Sequence, residues 1–342
     1  MCAMPPAFQI SPQVARFCWQ VLQLDSAPEF PDAELLRAED VQEAIYERVF
    51  DDAVALPLPR RYQLRILTEL IARIESAIED WDKHGIADSL TSALSRLLSQ
   101  PLPSEMEAAQ QRSYVTYHLS LLQAPIDNPH ITLLEARSLI AASGTTGLRT
   151  WEAALHLGQY LCVNPSLVRD KRILELGTGT GYLAVLCAKY LGAEHVIASD
   201  GSGEVFNKLA DSFFLNGLQG SDRVSATELK WGHALLGTEE DAWNGGRHVD
   251  MVLGADITYD VSVIPALVAT LQELARLFPG ISILIAATER NRATFENFLD
   301  VCGKRGFALA NEPFPVPPRK AQNGPFYNDQ SPIHICKLKS KW

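Results

Sequence analysis

No two of the six cysteines, at positions 2, 18, 162, 187, 302 and 336, stand close enough to make a CxxC pair. That argues against a zinc ribbon or a disulfide scaffold and suits a reducing cytosol. No apolar run approaches the roughly 20 residues that a membrane span requires. The opening residues, Met1-Cys2-Ala3-Met4-Pro5-Pro6, lack a basic stretch followed by an apolar one, so secretion is not expected. Basic residues are also scarce, 30 Lys and Arg against 41 Asp and Glu, for a net charge of -11. Affinity for nucleic acid rests largely on Lys and Arg neutralising phosphates, so a direct nucleic-acid partner is not expected either. Internal repeats, low-complexity tracts and a metal-ligand pattern are all missing.

What remains is 342 residues, 47% of them hydrophobic. That is longer than a typical domain of roughly 100–200 residues and rich enough to bury a sizeable core. The acidity is uneven, with 11 basic and 20 acidic residues in 1–143 against 19 and 21 in 144–342. A solvated helical exterior explains the acidic part, and a docking face for a basic protein surface is the other reading. Apolar residues in the first part recur with helical spacing: Val14, Phe17, Cys18, Val21 and Leu22, then Leu67, Leu70, Ile71, Ile74 and Ile78, then Leu90, Leu94, Leu97 and Leu98, the last group with Asp88 or Ser89 as a cap. Residues 128–150 read as the join, which sets two domains at 1–143 and 144–342. Beyond Lys171, β-branched runs at 173–176, 195–200, 223–229, 249–255 and 281–288 alternate with helical stretches, as in βαβ units with a mainly parallel sheet. Runs at 307–314 and 332–339, separated by a Pro/Gly/Asn-rich loop, read as an antiparallel hairpin, for seven strands in all.

Between the first of these strands and its helix stands Glu175-Leu-Gly177-Thr178-Gly179-Thr-Gly181. Missing side chains there let backbone N–H groups approach a ligand. The dinucleotide pattern GxGxxG needs glycine at 182, where Tyr182 stands, so a nicotinamide cofactor is disfavoured. Glu175 suits a ligand with an ammonium end. Asp200 closes the next strand, where a carboxylate can accept hydrogen bonds from two ribose hydroxyls. Past the fourth strand, Ala255-Asp256-Ile-Thr-Tyr259 sets an acid and an aromatic hydroxyl at the edge where such sheets bind ligands. Asp256 could hold an incoming ammonium by a charge-assisted hydrogen bond, and Tyr259 could add an aromatic wall. A plain glycine turn, a turn-forming Asp and core aromatics compete with each of these readings.

The ExGxGxG loop resembles motif I of the seven-strand S-adenosylmethionine-dependent methyltransferases, and Asp256-x-x-Tyr259 resembles the motif of a protein-methylating branch. With the helical first part and Gly144-Thr-Thr-Gly-Leu-Arg149-Thr-Trp151-Glu-Ala-Ala154, the chain is similar, over nearly its whole length, to the elongation factor 2 lysine methyltransferase family. The resemblance implies a Rossmann-like methyltransferase sheet of seven strands, mainly parallel with a C-terminal antiparallel hairpin, behind a smaller helical domain; the acidity of that domain and its lack of catalytic motifs suggest that it docks the protein substrate. It implies S-adenosylmethionine as cofactor, bound by Trp151, Glu175, Gly177, Thr178, Gly179, Asp200, Trp231 and Ala255, with Trp151 at the methionine end, Trp231 at the adenine and the Ala255 backbone facing the cofactor. Asp256 and Tyr259 would be catalytic, the protein substrate elongation factor 2, the location cytoplasmic, and no metal or membrane involved. A methyltransferase for another protein or a small molecule, and a non-catalytic cofactor-binding adaptor, stay open as alternatives.

Overall fold

The structure is a computed structural model that describes residues 10–51, 53, 56–123, 125–136, 147–235 and 242–341. Cys2 and the run from Ser143 to Thr146 lie outside the described residues. The chain divides into two units, Met1–Tyr117 and His118–Trp342.

The first unit contains α1 (Pro12–Leu22), α2 (Ala33–Leu36), α3 (Glu39–Val49), α4 (Arg60–Ala77), α5 (Asp88–Leu98) and α6 (Glu105–Gln110). Ser11 caps α1 by accepting from the Val14 N–H, and Pro12 fits the first turn, where its missing N–H costs nothing. At α5 the cap residue is Ala87, with no side-chain bond, and Asp88 sits inside the first turn instead of capping it. Helices of 11 residues, such as α1 and α5, are marginal alone in water, so packing must hold them. Val14, Phe17, Leu67, Leu70, Ile74 and Leu90 supply it from one shared buried cluster, each fully buried side chain contributing about 1.5–3 kcal/mol.

The strand β1 (Ser113–His118) carries the chain across the division. The second unit continues with β2 (His130–Glu135), α7 (Glu152–Val163), β3 (Arg172–Leu176), α8 (Tyr182–Lys189), β4 (His195–Asp200), α9 (Gly203–Leu215), β5 (Val224–Glu228), β6 (Met251–Ala255), α10 (Ile264–Leu277), β7 (Ser282–Thr288), α11 (Arg292–Lys304), β8 (Phe307–Glu312) and β9 (Ile333–Ser340). The division falls at 117/118, whereas composition put it after Ser143. The reason is β2, which the join reading did not foresee. Its Thr132 exchanges hydrogen bonds with the Asn216 side chain beyond α9 (3.1 and 2.8 Å), and the His130 carbonyl accepts from the Tyr190 hydroxyl beyond α8 (2.7 Å). This segment is thereby bonded into the second unit.

Seven strands form one sheet in the order β5-β4-β3-β6-β7-β9-β8. The five strands β3 to β7 are parallel, and β9 pairs antiparallel with both β7 and β8. The seven runs read from the sequence are these seven strands. Helical crossovers cover both faces of a parallel sheet, which is why its central strands read as continuous apolar runs. Leu174, Val252, Ile283 and Ile285 pack with Ile264, Leu267 and Leu271 of α10 in one buried cluster. Strand order reverses at β3/β6, so the crevice outside their carboxyl ends is where such a sheet takes a ligand.

Candidate active site

At that edge lies a cavity of about 500 Å³. The loop after β3 forms its floor. Gly177, Gly179 and Gly181 all have φ in the left-handed region, +62°, +54° and +84°. At Gly177 a Cβ would lie 2.6 Å from Ile257 Cγ2 and 3.3 Å from Trp231 Cζ2, so the backbone reaches the cavity only because no side chain is present.

Two acids face the cavity. Glu175, on β3, is buried and accepts from the Thr178 hydroxyl at 2.6 Å. Burial pushes its carboxyl up to about 8. The Thr178 hydroxyl and the Ala184 N–H oppose the rise, and Asp200 adds to it. Asp200 closes β4, with one oxygen accepting from the Gly179 N–H (3.1 Å) and the other from the Ser202 N–H (3.0 Å). Burial raises its pKa too, held back by these N–H groups and that of Gly201. With three N–H donors on about four lone-pair sites, the Asp200 carboxylate keeps acceptor capacity for a hydroxyl donor. Together the two carboxyls favour a cationic ligand.

Trp151, Glu175, Gly177, Thr178, Gly179, Asp200, Trp231, Ala255, Asp256 and Tyr259 all line this cavity. Trp231 also packs against the core cluster, so the core and ligand-wall readings of that indole describe two sides of one residue. Tyr259 is 55% exposed. Arg149, not chosen from the sequence as a site residue, lines the cavity as well, and its guanidinium lies 4.4 Å from the Trp151 ring centroid.

Asp256 departs from expectation. It is 8% exposed, at φ +54°. Its oxygens accept from the Ala153 N–H (3.2 Å), the Thr288 N–H and hydroxyl (3.1 and 3.0 Å) and two Arg290 nitrogens (3.2 Å each). A carboxylate offers about four lone-pair sites, and five donors already share them. The structure thus shows these oxygens engaged by the protein's own donors, whereas the motif led to the expectation of an oxygen turned to a lysine ammonium. The carboxylate ties the start of α7 to the end of β7.

A family model described as lysine methyltransferase matches residues 134–304. The chain belongs to the lysine methyltransferase family. It is 69% identical to the protein-lysine N-methyltransferase EFM3 of Chaetomium thermophilum, over 96% of this chain and 98% of that one. It is 29% identical to the protein-lysine N-methyltransferase EEF2KMT of Homo sapiens, over 87% and 85% of the two chains. It is also 30% identical to EFM3 of Saccharomyces cerevisiae, over 66% of each.

This lysine methyltransferase is a protein-lysine N-methyltransferase that uses S-adenosylmethionine. The cavity fits that cofactor in its side-chain-free cradle and in two acids suited to a cationic, ribose-bearing ligand. Among the described residues no group of His, Cys, Asp and Glu could hold a metal ion, and no helix is long and apolar enough to cross a membrane. Sequence reading missed Glu152, Thr288 and Arg290. Thr288 ends β7 and Glu289-Arg290 follow it, and extending the carboxyl-edge rule to that strand would have found them.

Proposed function

We propose that the protein substrate is translation elongation factor 2, and that one cavity takes both the cofactor and the target lysine. The observation that carries this is the convergence of all ten expected residues on one cavity, in a chain whose relatives named EEF2KMT align along most of its length. Gly177, Thr178 and Gly179 cradle the cofactor, Asp200 takes the ribose hydroxyls, Trp231 flanks the adenine and the Ala255 backbone faces the cofactor. Glu175 faces the ammonium end and Trp151 the methionine end. When bound, S-adenosylmethionine supplies a methyl group on a cationic sulfur, which keeps the carbon–sulfur electron pair as the amine nitrogen attacks.

Lysine is cationic near neutral pH, with an ordinary pKa of about 10.4, so its proton must leave first. Asp256 already holds five donors of the protein, and water receives the proton. Tyr259 walls the amine's path, and most of the rate comes from holding amine, methyl and sulfur in line. The test is incubation of the purified protein with tritium-labelled S-adenosylmethionine and recombinant unmethylated elongation factor 2. Label on lysine is expected, and label off lysine, or none on this acceptor, rejects the assignment.

Glu175 links cofactor binding to pH. With its carboxyl near 8, the free enzyme carries it mostly protonated at neutral pH. A cationic ligand favours the ionised form, so binding releases a proton and affinity rises as pH climbs toward 8. Calorimetry in buffers of different ionisation enthalpy should detect that proton, and Glu175→Gln should lose several-fold of the pH dependence. Identical pH profiles for the two proteins would reject the role.

The first unit, Met1–Tyr117, we assign to docking of the protein substrate, for its acidity and because none of its described residues lines the cavity. The lysine substitutions Glu69→Lys, Glu75→Lys and Glu79→Lys, all at exposed positions, should together raise KM for elongation factor 2 several-fold and leave the cofactor Kd unchanged. An unaltered KM would count against docking.

A further inference from the structure

The rim of the cavity carries a charge cluster that no motif announces. The Arg149 and Arg290 guanidinium groups lie over the Trp151 ring, 4.4 and 4.9 Å from its centroid. Glu152 pairs with both, at 3.4 and 2.6 Å. Arg290 also grips both oxygens of Asp256. Burial works against the Arg290 charge, but Asp256 and Glu152 outweigh it and hold its pKa above the ordinary value. Two cations and two anions thus sum to zero where α7 begins and where β6 and β7 end.

We propose that Arg290 is a positioning residue for methyl transfer: it neutralises Asp256 and Glu152, supports Trp151, and so keeps uncompensated negative charge away from the lysine amine. This rests on the lysine-methyltransferase reading of the cavity. An unpaired carboxylate beside the amine would stabilise its ammonium form and shrink the reactive neutral fraction. The other charged or titratable groups around this cluster are Tyr259 after β6, Glu175, Tyr182, Asp200 and Lys230 in the cavity, the last paired with Glu228 at 3.0 Å, Glu289 paired with His334 of β9 at 2.7 Å, and Arg292 paired with Glu296 at 2.8 Å. None of them replaces the bidentate contact on Asp256.

The sign of the effect can be read from the pH profile. Arg290→Gln leaves the cluster at a net -1, and the alkaline-rising limb of the rate should move up by about one pH unit. Asp256→Asn leaves it at +1, and the limb should move down. The double variant Arg290→Gln/Asp256→Asn restores a zero sum and should return the limb to the wild-type position even if its rate is low. Arg290→Lys keeps the charge and should keep the limb while losing rate, because an ammonium cannot make the paired contact.

The measurement is the initial rate of lysine labelling by the full chain at saturating labelled cofactor, over about pH 6.5 to 9.5, the span approaching the lysine pKa. Acceptors are an extract of cells lacking the enzyme and, separately, purified unmethylated elongation factor 2. A fall by the same factor at every pH in Arg290→Gln, or a double variant whose limb stays displaced, overturns the proposal. Lysine label in the extract with none on elongation factor 2 overturns only the substrate assignment, and the limbs are then read on the extract. No lysine label from the wild type in either acceptor overturns the cavity reading and the proposal together.

Discussion

Gly177→Ala is expected to weaken S-adenosylmethionine binding by more than about 100-fold and to remove methyl transfer with it. The residue sits at φ +62°, a conformation that costs a residue with a side chain about 1–2 kcal/mol. The added Cβ would stand 2.6 Å from Ile257 and 3.3 Å from Trp231, so one of these cavity-lining side chains must move. The free variant loop relieves this strain and overlap, about 3 kcal/mol together, by leaving the cradle conformation; binding must restore it, and each 1.4 kcal/mol is tenfold in affinity. Gly203→Ala, at the first residue of α9 with nothing within 4 Å of the added atom, is the matched control and should bind normally. Calorimetry on the two proteins separates the cases. Binding by Gly177→Ala within threefold of wild type would show that the loop does not cradle the cofactor.

That loop was legible because its signal is local. Glu175 and Gly177 to Gly181 fall within seven consecutive residues, and their meaning depends only on a strand before and a helix after. Asp200 and the Asp256 to Tyr259 stretch were legible for the same reason, each ending a run of β-branched residues. The cluster around Arg290 was not. Its bonds to Asp256 and Glu152 span 34 and 138 positions, and only its place two residues past the end of β7, at the carboxyl edge, sets it apart from a surface arginine. The strand β2 was hidden differently. Asn128 and Pro129 punctuate its start, and its burial, with Ile131, Thr132 and Leu133 all inside, follows no period of two. Three adjacent buried residues need cover on both faces, which only the folded unit supplies. For Asp256 the motif foretold the acid at the cavity, but spacing cannot say which of the protein's own donors share its oxygens.

Asp256→Ala is accordingly expected to act through position, not through loss of a base, and to lower kcat on the order of 10²-fold, the scale of a misplacement of about 1 Å at the reacting centre. The substitution strands the Thr288 N–H and hydroxyl and the Ala153 N–H, and leaves Arg290 with Glu152 alone. Removing one member of a buried pair costs about 3–5 kcal/mol. Arg290 is 39% exposed and keeps a second carboxylate, so about 2–3 kcal/mol of folding stability is the expected loss. Alanine also fits poorly at φ +54°, where asparagine is tolerated. Asp256→Asn keeps one acceptor oxygen but turns its NH2 toward at least two of the five donors, so it should lose about 2 kcal/mol and still keep more activity than alanine. Cofactor affinity should fall no more than about fivefold in either variant, because the cradle at Gly177 and Gly179 and the Asp200 carboxylate are untouched; a tenfold loss is 1.4 kcal/mol. Thermal unfolding, calorimetry and labelled-methyl assays on both proteins give the three quantities separately. Full turnover by Asp256→Ala would mean that the junction of α7 with β7 has no part in aligning the amine, and an undiminished melting temperature would mean that the five contacts contribute nothing to holding it.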